Sequence, residues 1–173
     1  IDSLRRDRFE NITGIDAFDN VWEGIQSSLN VGFDSVKLNV VPMKTINDDE
    51  IIDFAKLTLD YPLNVRFIEL FSTNESSKKC LGLRISNEYV EEQINKRFGF
   101  ISPIDGVVGN GPAQYFRIKR AKGTIGFISN FSRDFCGECT RVRVDCSGKI
   151  SPCLFAGPVY DARHILRNKG SEE

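Results

Sequence analysis

The stretch VKLNVVPMKTINDDEIIDFAKLTLDYPLNVRFIEL, residues 36–70, decides the fold class. It opens on a β-branched, alternating run, 36–41, in which Val36, Leu38 and Val40 share one face and Lys37 and Asn39 the other. Pro42 ends the run, having no N–H to give a ladder. Asn47 followed by Glu50 fits a variant capping box, so a helix is expected next, with Ile51, Phe54, Ala55 and Thr58 or Leu59 as its buried stripe. A second β-rich run, 65–70, follows the break at Pro62. A strand, a helix and a strand at this spacing predict parallel α/β architecture.

Upstream, 1–14 is charged and aperiodic, which suits a loop or a short lead-in helix. Asp16 is placed to cap a helix whose apolar positions Phe18, Val21, Trp22, Ile25 and Leu29 form one stripe, with Gly32 as its stop. Downstream, 71–84 reads as a loop. Ser86 is expected to cap a helix carrying Val90, Ile94 and Phe98, ended by Gly99. The segment 103–112, PIDGVVGNGP, has three glycines and no period. It is the expected internal boundary, dividing the chain into 1–102 and 103–173. Beyond it, 115–120 and 124–130 flank Lys122-Gly123, while 140–146 and 149–155 flank Ser147-Gly148; two hairpins imply an antiparallel layer. The tail from Tyr160 is polar and at most helical.

The 173 residues carry a net charge of −1 and are 40% hydrophobic, enough for a substantial core and unlike a chain that coats nucleic acid or an anionic membrane. Charge is nevertheless uneven. Between 117 and 149 stand eight basic residues (Arg117, Lys119, Arg120, Lys122, Arg133, Arg141, Arg143, Lys149) against Asp134, Glu138 and Asp145. Five cysteines, an odd number, with no membrane-length apolar run, suggest a reducing compartment, where C-x2-C reads as metal or redox chemistry before disulfide.

Four of those cysteines lie in FCGECTRVRVDCSGKISPCLF, 135–155. Taken as Cys136, Cys139, Cys146 and Cys153 they could close a tetrahedral zinc site, a noncatalytic zinc-ribbon module; three of them could leave one iron of a cluster open to an outside ligand. Strand alternation puts Arg141, Arg143 and Asp145 on one side and Val142, Val144 and Cys146 on the other, so Cys146 is expected in apolar packing. Cys153 stays open: a two-residue turn would set it on the Val142 side, a three-residue loop with a bulge beside Arg143. Two planar guanidiniums beside thiolates suit anion recognition, although an arginine pair on a strand is more often a solvated face. Lys37 has an ordinary reading as a surface lysine. Cys80 and His164 are expected to carry no function.

The 135–155 segment resembles the C-terminal cluster motif of the GTP 3′,8-cyclase family of molybdenum cofactor biosynthesis, radical S-adenosylmethionine enzymes with the pattern FC..CTR.R....G....CLF. The segments VKLNVVPMKTINDDEI and VRFIEL look like the same family, so the resemblance covers essentially the whole chain. It implies an α/β fold: part of an incomplete TIM-like (β/α) barrel over 1–102, then a C-terminal region, 103–173, with antiparallel hairpins and an Fe-S cluster. In such enzymes a first 4Fe-4S cluster and S-adenosylmethionine generate a radical that converts GTP to (8S)-3′,8-cyclo-7,8-dihydroguanosine 5′-triphosphate.

Carried over by position, the resemblance implies that Cys136, Cys139 and Cys153 hold a second 4Fe-4S cluster facing guanine. Arg141, Val142 and Arg143 lie against GTP, Lys37 binds it from the barrel, and Phe71 stands where the family has a methionine contacting S-adenosylmethionine. The first cluster's C-x3-C-x2-C occurs nowhere in the chain, so this stretch is expected to be the C-terminal portion, inactive alone. GTP is the expected partner, a homodimer is left open, and neither nucleic acid nor membrane is expected. The compartment implied is the cytoplasm for a bacterial source and the mitochondrial matrix for a eukaryotic one.

Overall fold

Val36–Val40 and Leu63–Ile68 do pair in parallel, Val36 beside Leu63 and Val40 beside Phe67, as the alternation and the intervening helix predict. The computed structural model describes residues 1–71, 76–107, 112–129, 141–153 and 156–167, the side chains of 76–79 and 165 excepted. The chain divides into two compact units, Ile1–Phe135 and Cys136–Glu173. In the first, the order is α1 (Arg6–Thr13), α2 (Phe18–Val31), β1 (Val36–Val40), α3 (Ile51–Asp60), β2 (Leu63–Ile68), α4 (Asn87–Phe98), β3 (Ser102–Ile104), β4 (Gln114–Arg117) and β5 (Thr124–Ile128).

These strands form one mixed sheet in the order β1-β2-β5-β4-β3. The pairs β1/β2 and β2/β5 are parallel, and β4/β5 and β3/β4 antiparallel. One face is apolar. Leu38, Val40, Leu63, Val65, Phe67, Ile125 and Phe127 are buried there with Ile51, Phe54 and Ala55 of α3 and Val90 and Ile94 of α4. The stripe foreseen for α3 is the buried one. Its last member is Thr58, fully buried because its hydroxyl donates to the Ala55 carbonyl at 2.7 Å.

The helix ends test local rules against tertiary competition. Ser86 caps α4 as expected, its Oγ accepting from the Tyr89 N–H at 3.3 Å, and Gly32 ends α2 in the left-handed region at φ 84°. Asp16 does not cap α2; it pairs with Arg6 at 2.9 Å instead. The stripe of α2 is only half-buried and Val21 is exposed, while an aromatic run, Phe9, Phe18, Trp22 and Tyr61, ties the helix inward with ring centroids 5.8 to 6.5 Å apart.

The capping box at Asn47 and Glu50 does not form. Asn47 Oδ1 accepts from the Met43 N–H at 2.6 Å, and its amide donates to the carbonyls of Asp2 and Val41. Glu50, 1% exposed, accepts from the Ser3 hydroxyl at 2.8 Å, the Leu4 N–H at 2.6 Å and Arg8 at 2.5 Å. Groups away from the helix end thus take both side chains, Asn47 by Met43, Asp2 and Val41 and Glu50 by donors of the N-terminal segment, and a 3-10 turn, Asp48–Glu50, leads into α3.

Two further segments depart from expectation. Within 71–84, Ser76–Leu83 is a 3-10 helix, followed by a bridge between Met43 and Arg84. Pro103, the expected start of the C-terminal region, lies in β3 opposite Phe116; as the last strand of the sheet, β3 tolerates a residue with no N–H. The Lys122-Gly123 hairpin is present, with β4 and β5 in register from Gln114/Phe127 to Phe116/Ile125. Its turn docks tightly: a Cβ on Gly123 would fall 2.0 Å from the Leu63 carbonyl oxygen.

The second unit is an antiparallel sheet of β6 (Arg143–Val144), β7 (Lys149–Ser151) and β8 (Tyr160–Asp161), followed by α5 (Ala162–Arg167). The Ser147-Gly148 hairpin is therefore joined by a third strand that the polar tail did not suggest.

Candidate functional site

The face of the first sheet opposite its core is polar because the alternation of each strand is kept in register across the sheet. One rung reads Lys37, Asn64, Thr124, and the next reads Asn39, Arg66, Gly126, Tyr115. Thr124 Oγ1 donates to Asn64 Oδ1, and the Asn64 amide donates to Ser35 Oγ at 2.9 Å. Arg66 Nε donates to Asn39 Oδ1 at 2.8 Å. Asn39 is exposed, and Lys37 and Arg66 are half-buried. Two cations from adjacent strands thus share one face. Arg66 escaped the sequence reading because only strand register sets it beside Lys37.

At the carboxyl end of β2, Glu69 is buried and accepts from the N–H of Asn87, the first residue of α4, where the positive end of the helix favours a carboxylate. The Asn87 amide in turn donates to Ser129 Oγ at 3.0 Å, which ties the start of α4 to the end of β5. Phe71 follows β2 and is half-buried. In parallel α/β sheets ligands gather at the carboxyl ends of strands. Cys136 and Cys139 follow β5 in sequence and lie outside the described residues.

In the second unit the hairpin geometry sets the length of the loop between its strands. Val144 pairs with Ile150 and Arg143 with Ser151, and the Asp145 N–H donates to the Lys149 carbonyl at 3.0 Å, so the loop is the three residues Cys146, Ser147 and Gly148. Gly148 sits at φ 80°, the left-handed position such a loop needs. β7 ends at Ser151, so the register stops short of Cys153, which lies half-buried in the bend that follows Pro152. Cys146 is corrected: it belongs to the turn, not to an apolar strand face, and is exposed. Val142 and Val144 are exposed too, at 67% and 64%. Arg141 is exposed and Arg143 half-buried. Among the described residues no three His, Cys, Asp or Glu side chains gather to hold a metal.

The turn is built by Asp145, whose Oδ1 accepts from the N–H groups of Lys149 and Ser147 and from the Ser147 hydroxyl. The Lys149 N–H first, and then the Ser147 hydroxyl, hold its carboxyl below the ordinary aspartate value of 3.8. A group with a lowered folded value stabilises above its unfolded value and loses that contribution as pH falls through the folded one. The Asp145 carboxyl is therefore expected to titrate below 3.8, with Lys149 amide protection falling alongside. A midpoint at or above 3.8 in a carbon-13 titration would contradict the turn.

The sequence signature described as Molybdenum Cofactor Synthesis C matches residues 63–173. The chain belongs to that family. Curated relatives agree with this membership of the Molybdenum Cofactor Synthesis C family. A GTP 3′,8-cyclase of Heliobacterium modesticaldum is 40% identical over 99% of this chain and 53% of its own length. One from Alkaliphilus metalliredigens is 42% identical over 96% of the chain and 51% of its own, and one from Gloeobacter violaceus 43% identical over 89% and 47%. This Molybdenum Cofactor Synthesis C chain spans about half the length of the curated relatives it matches.

Proposed function

We propose that the chain is the C-terminal portion of a GTP 3′,8-cyclase, in which it supplies most of the substrate-binding side of the site. The observation that carries this reading is the identity of about two residues in five over nearly the whole chain to proteins of that name. On this reading β1, β2 and β5 are strands of an incomplete (β/α) barrel whose lumen is the polar face, consistent with helices buried against the other face. Barrel-derived residues, 1–102, and cluster-bearing residues, 103–173, are then a functional division, distinct from the two compact units.

Cys136, Cys139 and Cys153 would hold a 4Fe-4S cluster; the three-residue loop, the alternative in which Cys153 falls beside Arg143, supports Cys153 as the third ligand. When bound, such a cluster supplies an iron open to a ligand from the substrate. Arg141, Val142, Arg143 and Lys37 bind GTP, Arg66 joins Lys37 on the triphosphate, and Phe71 packs near S-adenosylmethionine. The whole protein brings the first cluster. Its compartment is the cytoplasm for a bacterial source, as the relatives named above are, and the mitochondrial matrix for a eukaryotic one.

In the full-length enzyme, Arg143→Ala and Lys37→Ala are each expected to raise the GTP dissociation constant roughly tenfold to a hundredfold, the cost of one charge-assisted hydrogen bond. Cluster assembly and uncoupled S-adenosylmethionine cleavage should persist. Unchanged GTP affinity in both variants, at fixed salt, would return these residues to a solvated face.

A further inference from the structure

The rung Asn39, Arg66, Gly126, Tyr115 contains a glycine that its backbone does not require. Gly126 lies in the middle of β5, buried, with a φ outside the left-handed region, and there glycine forgoes side-chain packing. What demands it is space. A Cβ at 126 would stand 2.9 Å from Cγ of Arg66 and 3.1 Å from Cε1 of Tyr115. The Arg66 stem therefore lies over β5 from one side and the Tyr115 ring from the other, while Nε of Arg66 reaches back to Asn39. The guanidinium is thus held at its stem and at Nε, with its terminal nitrogens unengaged among the described residues.

We propose that Gly126 is a positioning residue: its missing side chain seats Arg66 so that the guanidinium and Lys37, one rung away, meet the same phosphate groups of a nucleoside triphosphate. This rests on the reading of the polar face given under Proposed function. A methyl group at 126 pushes the arginine stem toward β1, breaks the Nε bond to Asn39 and misdirects the fork; the Tyr115 ring, anchored on β4, limits retreat the other way. Since the effect runs through Arg66, it disappears when that side chain is shortened.

The experiment measures GTP binding by equilibrium dialysis in the full-length protein as wild type, Gly126→Ala, Arg66→Ala and the double variant, together with solvent exchange of the Arg66 Nε proton. Gly126→Ala is expected to weaken GTP tenfold or more and to lose Nε protection, and the double variant to bind no more weakly than Arg66→Ala. Additive losses, or intact affinity and Nε protection in Gly126→Ala, overturn the positioning role. Should Gly126→Ala fail to fold, a double variant that folds and binds like Arg66→Ala supports it, and a double variant that also fails to fold overturns it. A wild type that binds no GTP sinks the functional reading and the phosphate role with it, while Nε protection still reports on the seating of Arg66.

Discussion

Glu50→Ala is expected to destabilise the first unit by about 3 kcal/mol, because it strands the Leu4 N–H and leaves the Ser3 hydroxyl only the Arg5 carbonyl at 3.3 Å in place of Glu50 Oε1 at 2.8 Å. The Ser3 hydroxyl is fully buried and the Leu4 N–H points at Glu50 Oε2 at 2.6 Å, and each orphaned donor costs about 1–3 kcal/mol. Arg8 adds less. It keeps Asp49, the leading cause of its raised pKa, at 2.5 Å. Asp49 itself is half-exposed, so Asp49→Ala should cost no more than about 1 kcal/mol although Arg8 holds its carboxyl below the usual range. Urea midpoints of the two variants, with amide exchange at Leu4, check the contrast. Equal losses would mean that the buried carboxylate does not bind the N-terminal segment to α3.

Cys153→Ala is expected to abolish cluster binding, as are Cys136→Ala and Cys139→Ala, whereas Cys80→Ala and Cys146→Ala should leave it intact. Three thiolates with one open iron tolerate no further loss, and a cysteine in the exposed turn is not needed. Iron content and the visible absorption band after anaerobic reconstitution give the answer. The zinc-ribbon alternative makes the opposite claim: zinc in place of iron, and loss of metal in Cys146→Ala. The exposure of Cys146, free of any core role, is the observation in its favour, and zinc with four necessary cysteines would displace the cluster reading.

Much of the fold was legible because its signals are local. The alternation of Val36, Leu38 and Val40, the helical stripe of Ile51, Phe54, Ala55 and Thr58, the Ser86 cap and the Gly32 stop each depend on neighbours within a turn or two, where backbone geometry dictates which side chains share a face. The cysteine motif and its arginines were likewise readable from residue types and spacing.

What the sequence by itself determined about this protein is thus its α/β class, most of its elements and the family to which it belongs. Tertiary structure alone decided the rest, wherever a side chain had two possible partners. Asn47 and Glu50 have the residue types of a cap, yet the Asp2 carbonyl, which accepts from Asn47, and the Ser3 hydroxyl and Leu4 N–H, which donate to Glu50, make better use of them than a solvated helix end could. Whether the turn after Asp145 holds two residues or three was decided by the Asp145 carboxylate gathering the N–H groups of Ser147 and Lys149. The rung of Asn39, Arg66, Gly126 and Tyr115 draws on four strands spread over 88 residues of chain, 39–126. No periodicity within any one strand encodes it, because register between strands is fixed only when all of them are packed on the same core.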